Sequence, residues 1–250
     1  MNTIDPPSST KTLRGSFDRA ARSYAGHAVV QDSIADWLAE WAPTQRHGRA
    51  LELGAGPGVF TRRLLPWSGD LIASDMSEAM CREAGVLLPE VEWRVMHAEA
   101  PQGDAHDWIF TSSMLQWVEN PRAVFSAWRQ ALKPGGRVLA GLFAEGSLPE
   151  LRALTHGWTP LTWRMPEEWA ESLEQGGLRL VRSETHTRVF HHQSALHLMR
   201  SLHGVGAAPF HQFTPGRLRK ILRDYDAFHR DAHGVRSTWV FHRFEAERVD

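Results

Sequence analysis

Leu51-Glu52-Leu53-Gly54-Ala55-Gly56-Pro57-Gly58 decides the fold, because this stretch joins a short apolar run to a helical pattern through three closely spaced glycines. Glycine lets the chain turn abruptly and brings bare backbone against a ligand where a Cβ atom would collide with it. The spacing is G-x-G-x-G, and Val59 stands where a dinucleotide-binding fingerprint has its third glycine. The stretch therefore predicts a strand, a ligand-binding turn and a helix, and it argues against a nicotinamide dinucleotide.

Asp75 follows the glycines by about twenty residues, at the end of the next predicted strand. A carboxylate at this place can accept a hydrogen bond from each hydroxyl of an adenosine ribose, which implies an unphosphorylated sugar. No Gly-Lys-Ser/Thr sequence follows the glycines, so the groups that hold a triphosphate and its magnesium ion are missing. A tight turn without a ligand is the alternative for the glycines alone, but Glu52 before them and Asp75 after them favour a nucleoside site.

Short apolar runs alternate with helical patterns along the chain, which predicts right-handed βαβ crossovers and a mainly parallel sheet. The predicted strands are 50–53, 71–74, 91–95, 108–111, 138–143, 178–190 and 238–244. Asn120-Pro121 and Thr214-Pro215 are typical of helix starts. The sequence thus predicts an α/β, Rossmann-like fold with a seven-stranded, mostly parallel sheet, helices on both faces and a helical lid.

A single domain is expected for a chain of 250 residues, because α/β folds of this length often form one core with added helices. Residues 1–12 are polar and contain prolines, so we expect a disordered tail. Residues 13–250 are predicted to form the domain. Within it, residues 13–45 are expected to be N-terminal helices and residues 191–235 an inserted helical lid.

Composition restricts the classes of partner. The formal net charge is −1, which offers no cationic field to nucleic acid or an anionic membrane. Cys81 is the single cysteine, and no apolar segment resembles a secretory signal or a membrane span, so we expect a cytoplasmic protein. The His191-His192 pair lacks a cysteine partner and the His-Glu-x-x-His spacing, so no metal site is predicted. We expect a monomer.

The glycine loop, with Glu52 before it and Asp75 after it, resembles the class I S-adenosylmethionine-dependent methyltransferases. The resemblance implies S-adenosylmethionine as the cofactor, held by Glu52, Gly54, Gly56, Gly58, Asp75, Met76, Ala98, Ser112 and Met114. Met76 would pack on the adenine, and Ser112 and Met114 would lie beside the transferred methyl group. His97 stands where the family often has an aspartate for the adenine amine, and backbone contacts from Ala98 would replace that aspartate.

Further motifs resemble the malonyl-acyl carrier protein O-methyltransferases of biotin biosynthesis, over residues 16–244. They are Phe17-Asp18-Arg19-Ala20-Ala21 with Tyr24, Gln116-Trp117, Gly146-Ser147-Leu148-Pro149-Glu150-Leu151 and Met199-Arg200-Ser201-Leu202-His203-Gly204-Val205-Gly206-Ala207. The resemblance implies a malonyl thioester as the acceptor, on an acyl carrier protein or on coenzyme A. The family tends to have a tyrosine near the final strand, where this chain has Ser237-Thr238-Trp239.

Methyl transfer to a carboxylate requires positioning rather than a general base, because a carboxylate is already a nucleophile at neutral pH. An arginine fork can hold a carboxylate through charge-assisted hydrogen bonds. We therefore predict Arg200 as the clamp and Tyr24 as a second donor, with Gln116 and Trp117 lining the acceptor pocket. Each has a structural alternative, since arginines are commonly solvated and aromatic side chains commonly pack in a core.

Two other functions stay open at this point. One is a class I methyltransferase that acts on another small carboxylic acid or a natural-product intermediate, because the fold does not select the acceptor. The other is a non-catalytic protein that binds S-adenosylmethionine as a partner, which only His97 favours. The basic residues of 217–223 are typical of a solvated helix face, and they would also attract the acidic surface of a carrier protein.

Overall fold

The structure, a computed structural model, describes residues 10–21, 24–43, 48–66, 70–158, 161, 163–207 and 213–249. Their strands are β1 (Ala50–Leu53), β2 (Leu71–Asp75), β3 (Glu92–Val95), β4 (His106–Ser112), β5 (Leu132–Phe143), β6 (Leu178–His192), β7 (Arg230–Asp231) and β8 (Gly234–Arg248). Their helices are α1 (Thr10–Ala20), α2 (Tyr24–His27), α3 (Val29–Ala39), α4 (Thr61–Leu64), α5 (Glu78–Leu87), α6 (Pro121–Ala131), α7 (Pro149–Leu154), α8 (Pro166–Gln175), α9 (Ala195–Gly204) and α10 (Pro215–Phe228).

The described strands form one sheet in the order β3-β2-β1-β4-β5-β8-β6, with β7 paired to β8. The first five strands in this order are parallel to one another. β8 is antiparallel to both β5 and β6. The α/β class and the mostly parallel sheet are therefore confirmed. All seven predicted strands are present, and β7 adds two residues that are too few to show a hydrophobic period.

Three strands begin earlier than the apolar runs predicted, and one of them is β8, which starts at Gly234. β4 starts at His106 and β5 at Leu132, and these two residues pair before the register shifts to Trp108 and Arg137. Gly135 has φ +74°, which accompanies this irregularity in the pairing of the two strands.

Helix starts follow the capping chemistry expected from the sequence. Oδ1 of Asn120 accepts a 3.1 Å hydrogen bond from the backbone N–H of Ala123, which caps α6. Oγ1 of Thr214 accepts a 3.3 Å bond from the N–H of Arg217 at the start of α10. The caps satisfy backbone donors that have no partner within the helix, so each helix begins at its predicted proline.

Helices cover both faces of the sheet. On one face α6 and α8 bury Phe125, Trp128 and Trp169 completely. On the other face α3 packs on the start of α4, through Leu38 and Phe60. The indole N–H of Trp128 also donates a 2.7 Å hydrogen bond to the carbonyl of Ala98, so this core fixes the turn that follows β3.

The helical insertion lies between β6 and β8. Because β6 continues to His192 and β8 begins at Gly234, the insertion spans residues 193–233. Its helices α9 and α10 are joined by a 2.9 Å hydrogen bond from the N–H of Ala195 to Asp226.

The predicted tail lies largely outside the described residues, and residues 10–12 belong to α1 rather than to that tail. In the part of the chain that the structure describes, no helix has both the length and the apolar character needed to cross a membrane.

Candidate functional site

A cavity of about 990 Å³, open to solvent, lies at the carboxyl ends of β1, β2 and β4. The chain runs outward from β1 to β3 on one side and from β4 onward on the other, so β1 and β4 border the topological switch point. Eight of the nine predicted cofactor residues line this cavity, namely Glu52, Gly54, Gly56, Asp75, Met76, Ala98, Ser112 and Met114. His97 lines it as well.

The loop after β1 leaves room for a ligand at one glycine and packs closely at another. A Cβ atom on Gly56 would meet no heavy atom within 4 Å, so the backbone there faces open space. A Cβ atom on Gly54, which has φ +69°, would lie 2.3 Å from Cγ of Met114. Because neither glycine has a Cβ atom, the loop can approach a ligand at Gly56 and the side chain of Met114 at Gly54.

Gly58, the ninth residue predicted for the cofactor, packs against the protein. It does not line the cavity, and a Cβ atom on it would lie 2.7 Å from Cδ1 of Leu88. The third glycine allows the loop to pack against the end of α5 instead of contacting a ligand.

Asp75 is buried at the end of β2 and holds the surrounding backbone. Its Oδ2 accepts a 2.9 Å hydrogen bond from the N–H of Gly56, and its Oδ1 accepts a 2.8 Å bond from the N–H of Ser77. Burial raises the pKa of Asp75, and the two backbone donors oppose that effect. A carboxylate has about four lone-pair sites, so each oxygen of Asp75 keeps one for a ribose hydroxyl.

Glu52 forms part of the cavity floor. Its Oε2 is buried without a hydrogen-bond partner among the described residues. Burial, and to a smaller extent the charge of Asp75, raise the pKa of Glu52 to about 8. Because a buried acceptor without a partner is unfavourable, the site fits a ligand that carries a positively charged donor, such as an ammonium group.

The charge of the cavity fits S-adenosylmethionine. Glu52, Asp75 and Glu99 line it, whereas none of the described residues that line it is an arginine or a lysine. Acidic side chains in a cleft with apolar walls attract a cation, this cofactor is a sulfonium, and a bound cation would in turn favour the ionised form of Glu52.

The N-terminal helices form the roof of the cavity. Phe17 on α1 meets the ring of Trp117 edge to face, with the ring centroids 5.3 Å apart. The hydroxyl of Ser77 donates a 2.5 Å hydrogen bond to Asp18, which attaches α1 to the turn after β2.

The end of α9 holds this roof through two glycines. A Cβ atom on Gly204 would lie 2.3 Å from the ring of His27, and one on Gly206 would lie 2.9 Å from the ring of Phe17. Val205 and Ala207 join the same apolar cluster as Tyr24. The glycines of the predicted lid motif therefore serve close packing between α9 and the N-terminal helices.

The predicted acceptor residues divide into two groups. Tyr24 and Trp117 line the cavity, and the hydroxyl of Tyr24 has no hydrogen bond to any residue that the structure describes. Burial raises the pKa of Tyr24 far above its ordinary value, so it is a neutral donor. Gln116 lies behind the wall, where its Nε2 donates a 2.6 Å hydrogen bond to the carbonyl of Ser113.

Arg200 does not line the cavity. It is exposed on α9, because the buried stripe of that helix consists of Leu198, Met199 and Leu202. Within the described ranges its guanidinium has no ion-pair partner. The prediction that Arg200 holds the acceptor carboxylate thus has no support from its position.

Gln31 and Ser113 are two polar cavity residues that the sequence reasoning missed. Gln31 occupies the apolar stripe of α3 beside Ile34 and Ala35, and a polar residue in such a stripe is a signal of function. Ser113 has φ +57°, an uncommon backbone conformation for a residue other than glycine, which sequence does not reveal.

Known proteins resemble this chain in sequence. A family model described as a methyltransferase domain matches residues 51–140. A malonyl-[acyl-carrier protein] O-methyltransferase of Salmonella typhimurium is 29% identical over 225 residues, which cover 84% of this chain and 88% of that protein. The biotin biosynthesis bifunctional protein BioHC of Teredinibacter turnerae is 30% identical over 242 residues, which cover 85% of this chain but 40% of that longer protein.

The fold also resembles solved structures. Phosphoethanolamine N-methyltransferase 2 of Haemonchus contortus, solved in complex with S-adenosyl-L-methionine, superposes with a TM-score of 0.59. The alignment covers 93% of this chain and 57% of that chain, at 16% identity. At this identity the likeness concerns the fold.

Proposed function

We propose that the methyl acceptor of this S-adenosylmethionine-dependent methyltransferase is the free carboxylate of a malonyl thioester. The observation that carries the proposal is the likeness to malonyl-[acyl-carrier protein] O-methyltransferases over most of the chain. The product would be a methyl ester that serves the synthesis of a biotin precursor. Esterification would hide the charge of the malonyl group from the apolar sites of fatty-acid elongation enzymes.

The residues of the cavity suit an acceptor that needs no base. When bound, the cofactor supplies an electrophilic methyl group, and a carboxylate can attack it without losing a proton. Glu52 lies on the cavity floor and Asp75 at the end of β2. Both positions favour contact with the cofactor. The protein would therefore contribute mainly orientation and the exclusion of water.

Apart from His97, the donors that the described lining residues offer to a carboxylate are neutral groups. The hydroxyl of Tyr24 faces the cavity from α2, and the ring of Trp117 forms the adjoining wall. A neutral donor orients a carboxylate while leaving most of its charge for attack, whereas a strong ion pair would also stabilise the ground state. We propose Tyr24 as the donor to the acceptor carboxylate and the Phe17–Trp117 contact as the water-excluding roof.

An acyl carrier protein is the proposed carrier of the malonyl group. Arg200 on α9 and Arg219 on α10 are exposed, and neither has an ion pair with a described residue. Lys220 and Arg223 also lie on α10, but both form ion pairs with Asp224. We propose that this exposed basic surface of α9 and α10 attracts an acidic carrier protein, which would leave Arg200 a docking role outside the cavity.

The test is methyl transfer to defined thioesters. The purified protein is incubated with labelled S-adenosylmethionine and malonyl-acyl carrier protein, malonyl-CoA, succinyl-CoA or acetyl-CoA, and intact mass is recorded. We expect a gain of one methyl group on malonyl thioesters and none on acetyl-CoA, which lacks a free carboxylate. Absence of transfer to every malonyl thioester, with the cofactor bound, would refute the proposal.

A second candidate is methylation of another small carboxylic acid. The exposed position of Arg200 favours it, because none of the described residues that line the cavity is then assigned to distinguish a malonyl group from a longer acid. Equal rates with succinyl and malonyl thioesters would support this second function. Growth of a biotin-requiring strain that lacks its own methyltransferase, after introduction of this chain, would support the first.

A further inference from the structure

Gln31 is a buried polar side chain with no assigned partner. It lies at the start of α3, is 9% exposed and lines the cavity. Its side-chain amide makes no hydrogen bond to any residue within the described ranges. The amide is accessible from the cavity rather than enclosed in the core, and a polar group facing a cavity from an otherwise apolar stripe points to a ligand.

The start of α3 lies against the glycine loop. Ala28 shares an apolar cluster with Val59, and Ala35 shares another with Phe60. Both Val59 and Phe60 also line the cavity. Gln31 lies between Ala28 and Ala35 along the chain, so its amide reaches the cavity at the loop rather than at the turn after β3.

The amide of Gln31 carries both donors and an acceptor, and its N–H donors are what it adds to a cavity that acidic side chains already line. Glu52 on the floor accepts hydrogen bonds, whereas Gln31 supplies two N–H donors. The amino-acid part of S-adenosylmethionine is a zwitterion, so it presents an ammonium and a carboxylate side by side. No described lining residue is an arginine or a lysine, so neutral donors such as the Gln31 amide are available to the carboxylate there.

We propose that Gln31 donates a hydrogen bond from its side-chain amide to the α-carboxylate of the methionine part of the cofactor, opposite Glu52. The buried amide then obtains its partner only when the cofactor is bound. This assignment concerns the cofactor and is independent of the identity of the methyl acceptor.

The test compares two ligands that differ in the carboxylate. S-adenosylhomocysteine and its decarboxylated analogue, which keeps the adenosine, the sulfur and the amine, are titrated calorimetrically into the wild type and Gln31→Leu. We expect Gln31→Leu to bind S-adenosylhomocysteine about tenfold more weakly, as loss of a hydrogen bond to a charged group predicts. The affinity for the decarboxylated analogue should be unchanged.

Two further variants separate this role from a structural one. Gln130→Leu makes the same change at an exposed position of α6 and should leave both affinities unaltered. Gln31→Glu preserves the size of the side chain, and its charge should repel S-adenosylhomocysteine more strongly than Gln31→Leu does, without weakening the analogue. Equal losses for the two ligands, or no loss for either, would overturn the proposal.

Discussion

The backbone N–H of Gly56 donates a 2.9 Å hydrogen bond to Oδ2 of Asp75, which ties the loop after β1 to the end of β2. The same carboxylate also holds the N–H of Ser77, at 2.8 Å, and thereby the turn that leads into α5. Asp75 therefore shapes the site from both sides before any ligand is present. Asp75 also lines the cavity, where the hydroxyls of a ribose would donate hydrogen bonds to its remaining lone pairs.

Asp75→Asn should weaken the binding of S-adenosylhomocysteine about ten- to a hundredfold, because hydrogen bonds to a charged acceptor contribute roughly 1.5–3 kcal/mol. An amide at this position has a single acceptor atom for the loop and the sugar. Calorimetric titration measures the change. Glu78→Gln, at an exposed position of α5, serves as the matched control and should bind like the wild type. Unchanged affinity in Asp75→Asn would show that the ribose lies elsewhere.

Glu52 should make the unliganded protein less stable as the pH rises. Burial raises the pKa of Glu52 to about 8 in the folded state, from 4.5 for the free side chain. Since the folded state binds this proton more tightly, the stabilisation is complete below about pH 4.5 and is lost progressively up to about pH 8. Each pH unit in that window corresponds to roughly 1.4 kcal/mol at most.

Glu52→Gln is the variant that isolates this effect, because its side chain stays neutral at every pH. Its free energy of unfolding should depend less steeply on pH between 5 and 8 than that of the wild type. Denaturant unfolding without cofactor measures both profiles. Parallel profiles would mean that Glu52 is already ionised in the folded protein.

The cofactor side of the site could be predicted from the sequence, because its residues lie in short loops that directly follow strands. The starts of α6 and α10 also match the prediction, since a capping residue followed by a proline marks each of them. Local chemistry was sufficient in both cases. The sequence could not reveal that Gly58 packs on Leu88, because that contact joins the loop to a different helix.

The acceptor side depends on packing between distant segments, and it was predicted less well. Arg200 and Tyr24 both lie in motifs of interest, yet the buried stripe of α9 excludes Arg200 from the cavity. The close contact between Gly204 and His27, which packs α9 against α2, joins residues that are far apart in the sequence. Such a contact has no local signature in a single sequence.

Gly204→Ala should loosen the roof. The new Cβ atom would lie 2.3 Å from the ring of His27, so α2 or α9 must move. We expect a lower melting temperature, by a few degrees for a cost of about 1–3 kcal/mol, together with a lower kcat/KM for the acceptor. Gly216→Ala is the control, because a Cβ atom there meets nothing within 4 Å and alanine favours the helix. Equal melting temperatures for the two variants would contradict this packing role.

Tyr24→Phe should lower kcat/KM with malonyl-CoA about tenfold, because the variant loses a hydrogen bond to a charged acceptor but keeps the ring. Affinity for S-adenosylhomocysteine should stay unchanged. Arg200→Ala should leave the malonyl-CoA reaction unaltered, since its side chain is exposed outside the cavity. Steady-state kinetics of both variants decide between the two donors. A collapse of activity in Arg200→Ala alone would restore Arg200 as the carboxylate clamp.

Arg219→Glu should impair the reaction with malonyl-acyl carrier protein and spare the reaction with malonyl-CoA. Charge reversal on an exposed docking surface slows association with an acidic partner, so we expect kcat/KM for the carrier protein to fall several-fold at low salt. The difference should shrink as added salt screens the charges. Arg122→Glu, an exposed position on α6, controls for the change of net charge. If both reversals act alike, or if malonyl-CoA turnover falls equally, the carrier protein does not dock on α10.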